Sequence, residues 1–146
     1  MKNILAAVDF SPASEKILAQ AEQLARMSGA KIWIVHIAAP EPSFVGYDVG
    51  PQYIRDHRAE TLRTEHQLLQ EQAALLQEKG LKAEALLVSG PTSGAILDEA
   101  DRVAADLLVI GSHGHSMVFE LLVGSVSADV LRRATVPILV VPIREA

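Results

Sequence analysis

The sequence predicts an α/β fold: a doubly wound, parallel five-stranded sheet with helices on both faces. Three observations carry this. Five short apolar runs alternate with four stretches of helical periodicity, the pattern of right-handed β-α-β crossovers. The runs are apolar almost throughout, as expected of strands buried on both sides. The composition suits layered packing, since 49% of the 146 residues are hydrophobic but only 4% aromatic, leaving Ala, Val, Ile and Leu to build the core. No repeat, low-complexity stretch or linker divides the chain, so residues 1–146 are expected to form one domain.

Residues 3–8 form the first apolar run, which ends at Asp9. Ser11 is placed to cap a helix and Pro12 to fill its first position, where a missing N–H is harmless. Ile17, Ala21, Leu24 and Ala25 follow at helical spacing, and Gly29 stops the helix. Residues 31–37 read as the second strand. Residues 38–52 carry three prolines and two glycines, too long a stretch for a plain connection, and read as a flap over a site. From about residue 53 to residue 79 neither Pro nor Gly occurs. Leu62, Leu69, Ala73 and Leu76 mark the inner stripe of a long amphipathic helix there, which Gly80 ends. Residues 83–88 are the third strand. Ile96, Ala100 and Val103 line the third helix. The fourth strand begins at Leu107 and stops at Gly111. A fourth helix is expected over residues 125–134. Residues 136–141 form the last strand, punctuated by Pro137 and Pro142.

Composition excludes several function classes. A net charge of −5 argues against a nucleic-acid binder, which needs a basic stripe. The absence of cysteine excludes disulfides, thiolate catalysis and Cys-based metal centres. The first apolar run meets Asp9 too early to be a secretory segment, and no apolar stretch is long enough to span a bilayer. The expectation is a cytoplasmic protein.

The stretch after the fourth strand is the chemical centre of the sequence. Gly111 and Gly114 bracket a tight turn, and beyond nine intervening residues come Gly124, Ser125, Val126 and Ser127, where the fourth helix begins. Glycine lets a backbone approach a ligand closely, and a helix N-terminus offers unpaired N–H groups suited to phosphate. The Ser125 and Ser127 hydroxyls can cap the helix or meet the same anion. No Gly-Lys-Ser/Thr follows, so this is not a Walker loop, and Gly-x-Gly-x-x-Gly is absent. If the chain winds outward through strands one, two and three, it must return to set strand four beside strand one. The sheet then reverses between Asp9 and Gly111, and ligands of open α/β sheets bind at such a reversal.

Five separated blocks carry a resemblance that spans the chain: Ile-Leu-Ala-Ala-Val-Asp-Phe-Ser, Val-His-Ile, Asp-Leu-Leu-Val-Ile-Gly-Ser-His-Gly, Gly-Ser-Val-Ser, and Val-Pro-Ile-Leu-Val-Val-Pro. In this order and spacing they resemble the small single-domain universal stress proteins, in particular their ATP-binding branch. The resemblance implies a Rossmann-like sheet of strand order 3-2-1-4-5 and a site for ATP or AMP, with Mg²⁺ accompanying the phosphates. It implies that Ala7 and Asp9 lie near the adenine and ribose, and that the Ile37 main chain meets the adenine edge. Ile110 and Gly111 would lie against the ribose and first phosphate. Gly114, Gly124, Ser125, Val126 and Ser127 would hold the phosphates. Relatives often carry Arg or Lys in the loop, whereas here no Lys or Arg occurs between Val103 and Leu131, and His115, Phe119 and Glu120 stand in those places. Protonated His113 or His115 would then supply part of the positive charge.

Several of these residues have plainer readings. Asp9 could cap the first helix. His36, mid-strand, reads as a packed core histidine, and His57 and His66 as surface residues. His113 and His115 lack the acid that would complete a metal site. Ser112, His113 and Asp9 suggest a triad, but no Gly-x-Ser-x-Gly elbow presents the serine. Phosphoryl transfer needs cationic clamps and a base, and neither is evident, so no catalytic residue is assigned and any ATPase activity would be slow. The expected function is a nucleotide-binding regulatory protein of the stress response. The alternatives are an interaction dimer with an empty site, or a slow ATPase. An apolar final strand at the sheet edge, with Val136, Ile138, Leu139, Val140 and Val141, predicts a homodimer through that strand.

Overall fold

The structure, a computed structural model, describes residues 1–38, 52–112 and 125–143. Nine elements follow in order: β1 (Asn3–Ala7), α1 (Ala13–Ser28), β2 (Lys31–Ala38), α2 (Gln52–Glu78), β3 (Ala83–Ser89), α3 (Thr92–Arg102), β4 (Leu107–Gly111), α4 (Ser125–Arg133) and β5 (Ile138–Val141). The strands form one parallel sheet in the order β3-β2-β1-β4-β5. The predicted doubly wound fold and strand order are both present.

Strand periodicity divides the core into two layers. Ile4, Ala6, Ile32, Ile34 and Val109 face α1 and α2, where Ile17, Ala21, Leu69, Ala73 and Leu76 cover them. Leu5, Val35, Leu108 and Ile110 face α3 and α4, against Ile96, Ala100, Val103 and Val130. Alternate residues of a strand point to opposite faces, so an apolar run with no alternation is what a sheet covered on both sides demands. The predicted inner stripe of the long helix is inward except at Leu62, which is half-buried. Gly29 (φ +77°) and Gly80 (φ +86°) end α1 and α2 in the left-handed conformation that glycine adopts most readily.

Two predicted element starts are corrected. α1 begins at Ala13, with Pro12 rather than Ser11 at the cap position and no side-chain cap bond. The helix starts one residue later than expected, which leaves Ser11 outside the cap position, and its hydroxyl donates to Asp9 Oδ1 at 2.5 Å, a charge-assisted bond. β5 begins at Ile138 rather than residue 136. Pro137 has no N–H for the ladder, though its carbonyl still accepts the Leu108 N–H at 3.0 Å. The proposed flap falls largely on residues 39–51, outside the described residues. No helix among the described residues is long and apolar enough to cross a membrane.

Candidate functional site

The sheet reverses between β1 and β4. These strands are neighbours, with Ile4 beside Leu107 and Ala6 beside Val109. From β1 the chain winds through β2 to β3 on one side, and from β4 to β5 on the other. α1 leaves β1 towards one face and α4 packs on the opposite face, which opens a crevice at the strand ends. Ala7, Asp9, Ile110 and Gly111 meet there. Ile37 stands beside them near the end of β2, two residues past the Ala7–Val35 pair. Ala7, Ile37 and Ile110 all pack towards the α3 and α4 layer.

A tight turn presents Asp9. Its Oδ1 accepts the Ser11 N–H at 3.0 Å, the Ser11 hydroxyl at 2.5 Å and the Ser14 hydroxyl at 3.3 Å. Its own N–H donates to Ser14 Oγ at 3.2 Å. Asp9 thus holds the turn and the first turn of α1 through side chains and the Ser11 amide. Phe10 sits at φ +63°, an αL conformation that costs a non-glycine residue on the order of 1–3 kcal/mol and persists only where neighbours enforce it. The enforcing contacts are the Asp9 bonds on one side and the His36 ring on the other, whose centroid is 4.5 Å from that of Phe10.

On the β4 side, Ser127 is buried and its hydroxyl donates to the Gly111 carbonyl at 2.7 Å. That bond ties the first turn of α4 to the end of β4, so the hydroxyl proton of Ser127 serves the scaffold. Ser125 and Val126, ahead of it, are exposed. Ser112 is buried, its hydroxyl accepts the Ile143 N–H at 3.0 Å, and its own N–H donates to the Val141 carbonyl at 2.9 Å. With the Asp9 carboxylate turned to Ser11 and Ser14 as well, these two residues are built into the strand ends. His113, Gly114, His115 and Gly124 lie outside the described residues, as do Phe119 and Glu120. Among the described residues no cluster of three or more His, Asp or Glu could hold a metal ion.

Two polar clusters near the crevice were not predicted. His36 is half-buried, as its core reading requires, but both its ring nitrogens have partners: Nδ1 meets the Val8 carbonyl at 3.0 Å, and Nε2 meets the Glu65 carboxylate from α2. Nothing in the sequence links residues 36 and 65. In the second cluster, Asp129 of α4 accepts from Ser93 of α3 at 2.5 Å, from Arg133 at 2.9 Å and from Arg132 at 3.3 Å. The Ser93 hydrogen bond, then Arg133, holds the Asp129 carboxyl below the usual carboxylate range. The three- and four-residue spacing of Asp129, Arg132 and Arg133 was a legible signal for this half of the cluster.

The sequence profile of the universal stress protein family matches residues 1–142. The chain belongs to the universal stress protein family. Universal stress protein YxiE of Bacillus subtilis (strain 168) is 31% identical over 143 residues, covering 94% of this chain and 97% of the relative. The solved structure of MJ0577 superposes with a TM-score of 0.84 at 20% identity, covering 99% of this chain and 98% of that one, a likeness of fold. A universal stress protein solved in complex with cAMP has a TM-score of 0.71 at 27% identity, covering 97% and 96%. One from Archaeoglobus fulgidus in complex with dAMP has a TM-score of 0.64 at 25% identity, covering 96% and 97%. Two structural neighbours of this universal stress protein were thus solved with adenine nucleotides bound.

Proposed function

We propose that this universal stress protein binds an adenine nucleotide in the crevice between β1 and β4, and that it acts as a regulatory homodimer rather than as an enzyme. The observation that carries the reading is the convergence of Ala7, Asp9, Ile37, Ile110 and Gly111 with the start of α4 at the sheet reversal. The neighbours solved with cAMP and dAMP support adenine as the base. Ala7 and Asp9 take the adenine and ribose, and the Ile37 main chain takes the adenine edge. Ile110 and Gly111 lie along the ribose and first phosphate. Gly114, Gly124 and the amides of Ser125, Val126 and Ser127 receive phosphate, helped by the partial positive charge of the helix start. With no Lys or Arg between Val103 and Leu131, a monophosphate such as AMP suits the site without further charge. ATP requires Mg²⁺ on its own phosphates or protonated His113 and His115.

The test is direct. Protein purified without added nucleotide is heat-denatured, and the supernatant is examined for adenine absorbance and nucleotide mass. Calorimetric titration with AMP and with MgATP follows, on the parent and on Gly124→Val. Binding by the parent and its loss in Gly124→Val are expected, because a β-branched side chain would block the approach of backbone to phosphate. A parent that neither retains nor binds any adenine nucleotide overturns the reading.

A further inference from the structure

The geometry points to His36 as a positioning residue for the adenine end of the site, locked in place by its contact with Glu65 of α2. The inference rests on the nucleotide reading for its functional consequence, but the lock itself follows from the contacts alone.

His36 joins three elements. It is the residue before Ile37 on β2. Its Nδ1 meets the carbonyl of Val8, the residue before Asp9, at 3.0 Å. Its Nε2 meets Glu65 of α2. Its ring packs on Phe10, which holds the Asp9 turn at positive φ. Two of the residues expected at the adenine end, Asp9 and Ile37, are therefore one step along the chain from an atom or ring that His36 touches or belongs to.

Proton counting makes this arrangement conditional. A backbone carbonyl only accepts, so Nδ1 carries a hydrogen. A neutral imidazole would then present a bare Nε2 lone pair to a carboxylate, and two acceptors repel. The His36–Glu65 contact exists only with one further proton between them, whichever partner is written as its owner. The side chains are 14% and 18% exposed, so water screens such repulsion poorly. Around the ring, α2 presents Glu65, with Arg58 two turns earlier on the same stripe. β1 presents the Val8 carbonyl, and the turn presents Phe10 with the Asp9 carboxylate directed to Ser11 and Ser14. The neighbouring β3 residue paired with His36 is the apolar Leu87. Without the Glu65 contact, α2 no longer holds His36, Phe10 loses its brace, and the Asp9 turn relaxes.

Glu65→Gln separates this proposal from a merely structural role. A Gln amide donates to a neutral Nε2, so the lock persists, whereas Glu65→Ala removes it. AMP affinity is expected to fall about fivefold or more in Glu65→Ala and to be recovered in Glu65→Gln. In parallel, the amide signals of Asp9 and Ser11 should move in Glu65→Ala and return to their parental positions in Glu65→Gln. If AMP does not bind at all, the nucleotide reading fails while the spectra still judge the lock. A Glu65→Ala protein with parental AMP affinity, or Asp9 and Ser11 amides indifferent to that substitution, overturns the proposal.

Discussion

Replacing Ser127 with Ala tests how the phosphate end of the site is built. The mutation removes the hydroxyl that donates to the Gly111 carbonyl at 2.7 Å and adds no bulk. A net intramolecular hydrogen bond contributes about 0.5–1.5 kcal/mol, and a buried acceptor left without a partner costs about 1–3 kcal/mol. Ser127 is 7% exposed, but Gly111 is half-buried, so water can reach part of the bared carbonyl. The loss is expected near the overlap of the two ranges, about 1–1.5 kcal/mol, and a melting temperature about 3–6 °C lower for a chain of this size. Ser127→Thr keeps the donor and should lose less. Urea unfolding measures the stability of all three proteins, and AMP titration measures how far the first turn of α4 drifts from β4. A several-fold loss of affinity, recovered in Ser127→Thr, is expected. An unchanged urea midpoint in Ser127→Ala would refute the scaffold role. Unchanged stability with abolished binding would mean that the hydroxyl meets the ligand instead.

Two further outcomes follow from the same contacts. The backbone N–H groups of Lys2, then Asn3, hold the Asp106 carboxyl below the usual carboxylate range, at 2.6 and 2.9 Å. A lowered folded value stabilises the protein above the unfolded value of about 3.9 and the contribution is lost as pH falls through the folded value. Asp106→Asn should therefore unfold at lower urea than the parent at neutral pH, with the gap closing as pH falls below the usual carboxylate range; a gap that persists once the carboxyl is protonated contradicts the assignment. For the proposed dimer, the carbonyls of Pro137 and Val141 both face β4, which turns the backbone of Ile138 and Val140 outwards. Val140→Pro removes an outward N–H, and sedimentation should find the parent dimeric and this variant monomeric. Val141 is buried against its own core, so a charge there would disturb the fold before it tested the interface.

The elements were legible because their signals are local and redundant. A strand covered on both faces must be apolar throughout, and Gly29 and Gly80 sit where α1 and α2 have to stop. The crevice was legible because strand order follows from the crossover rule once the chain has wound outward to β3. What escaped were side-chain partnerships. Ser11 has the composition of a cap, yet the helix begins one residue further on and its hydroxyl donates to the Asp9 carboxylate. Ser127 fits a phosphate motif, yet its proton goes to Gly111. His36 and Glu65 are brought together by the packing of α2 on β2, and no periodicity within either element records that. Asp9 was identified for its position, while the serines that orient it came only with the fold.

The pairing of Arg132 and Arg133 with Asp129 bears on how fast a ligand arrives. The two cations at the end of α4 pair with a carboxylate on their own helix, although both side chains are largely exposed. The chain as a whole carries a net charge of −5. An incoming nucleotide anion is thus met by weak long-range repulsion, and attraction from helix and backbone dipoles acts only over the last few ångströms. Encounter should be slower than for a site ringed by free lysines. Because salt screens the repulsion more than the close contacts, the association rate of AMP in stopped-flow should rise slightly with ionic strength, opposite to the behaviour of an electrostatically steered site.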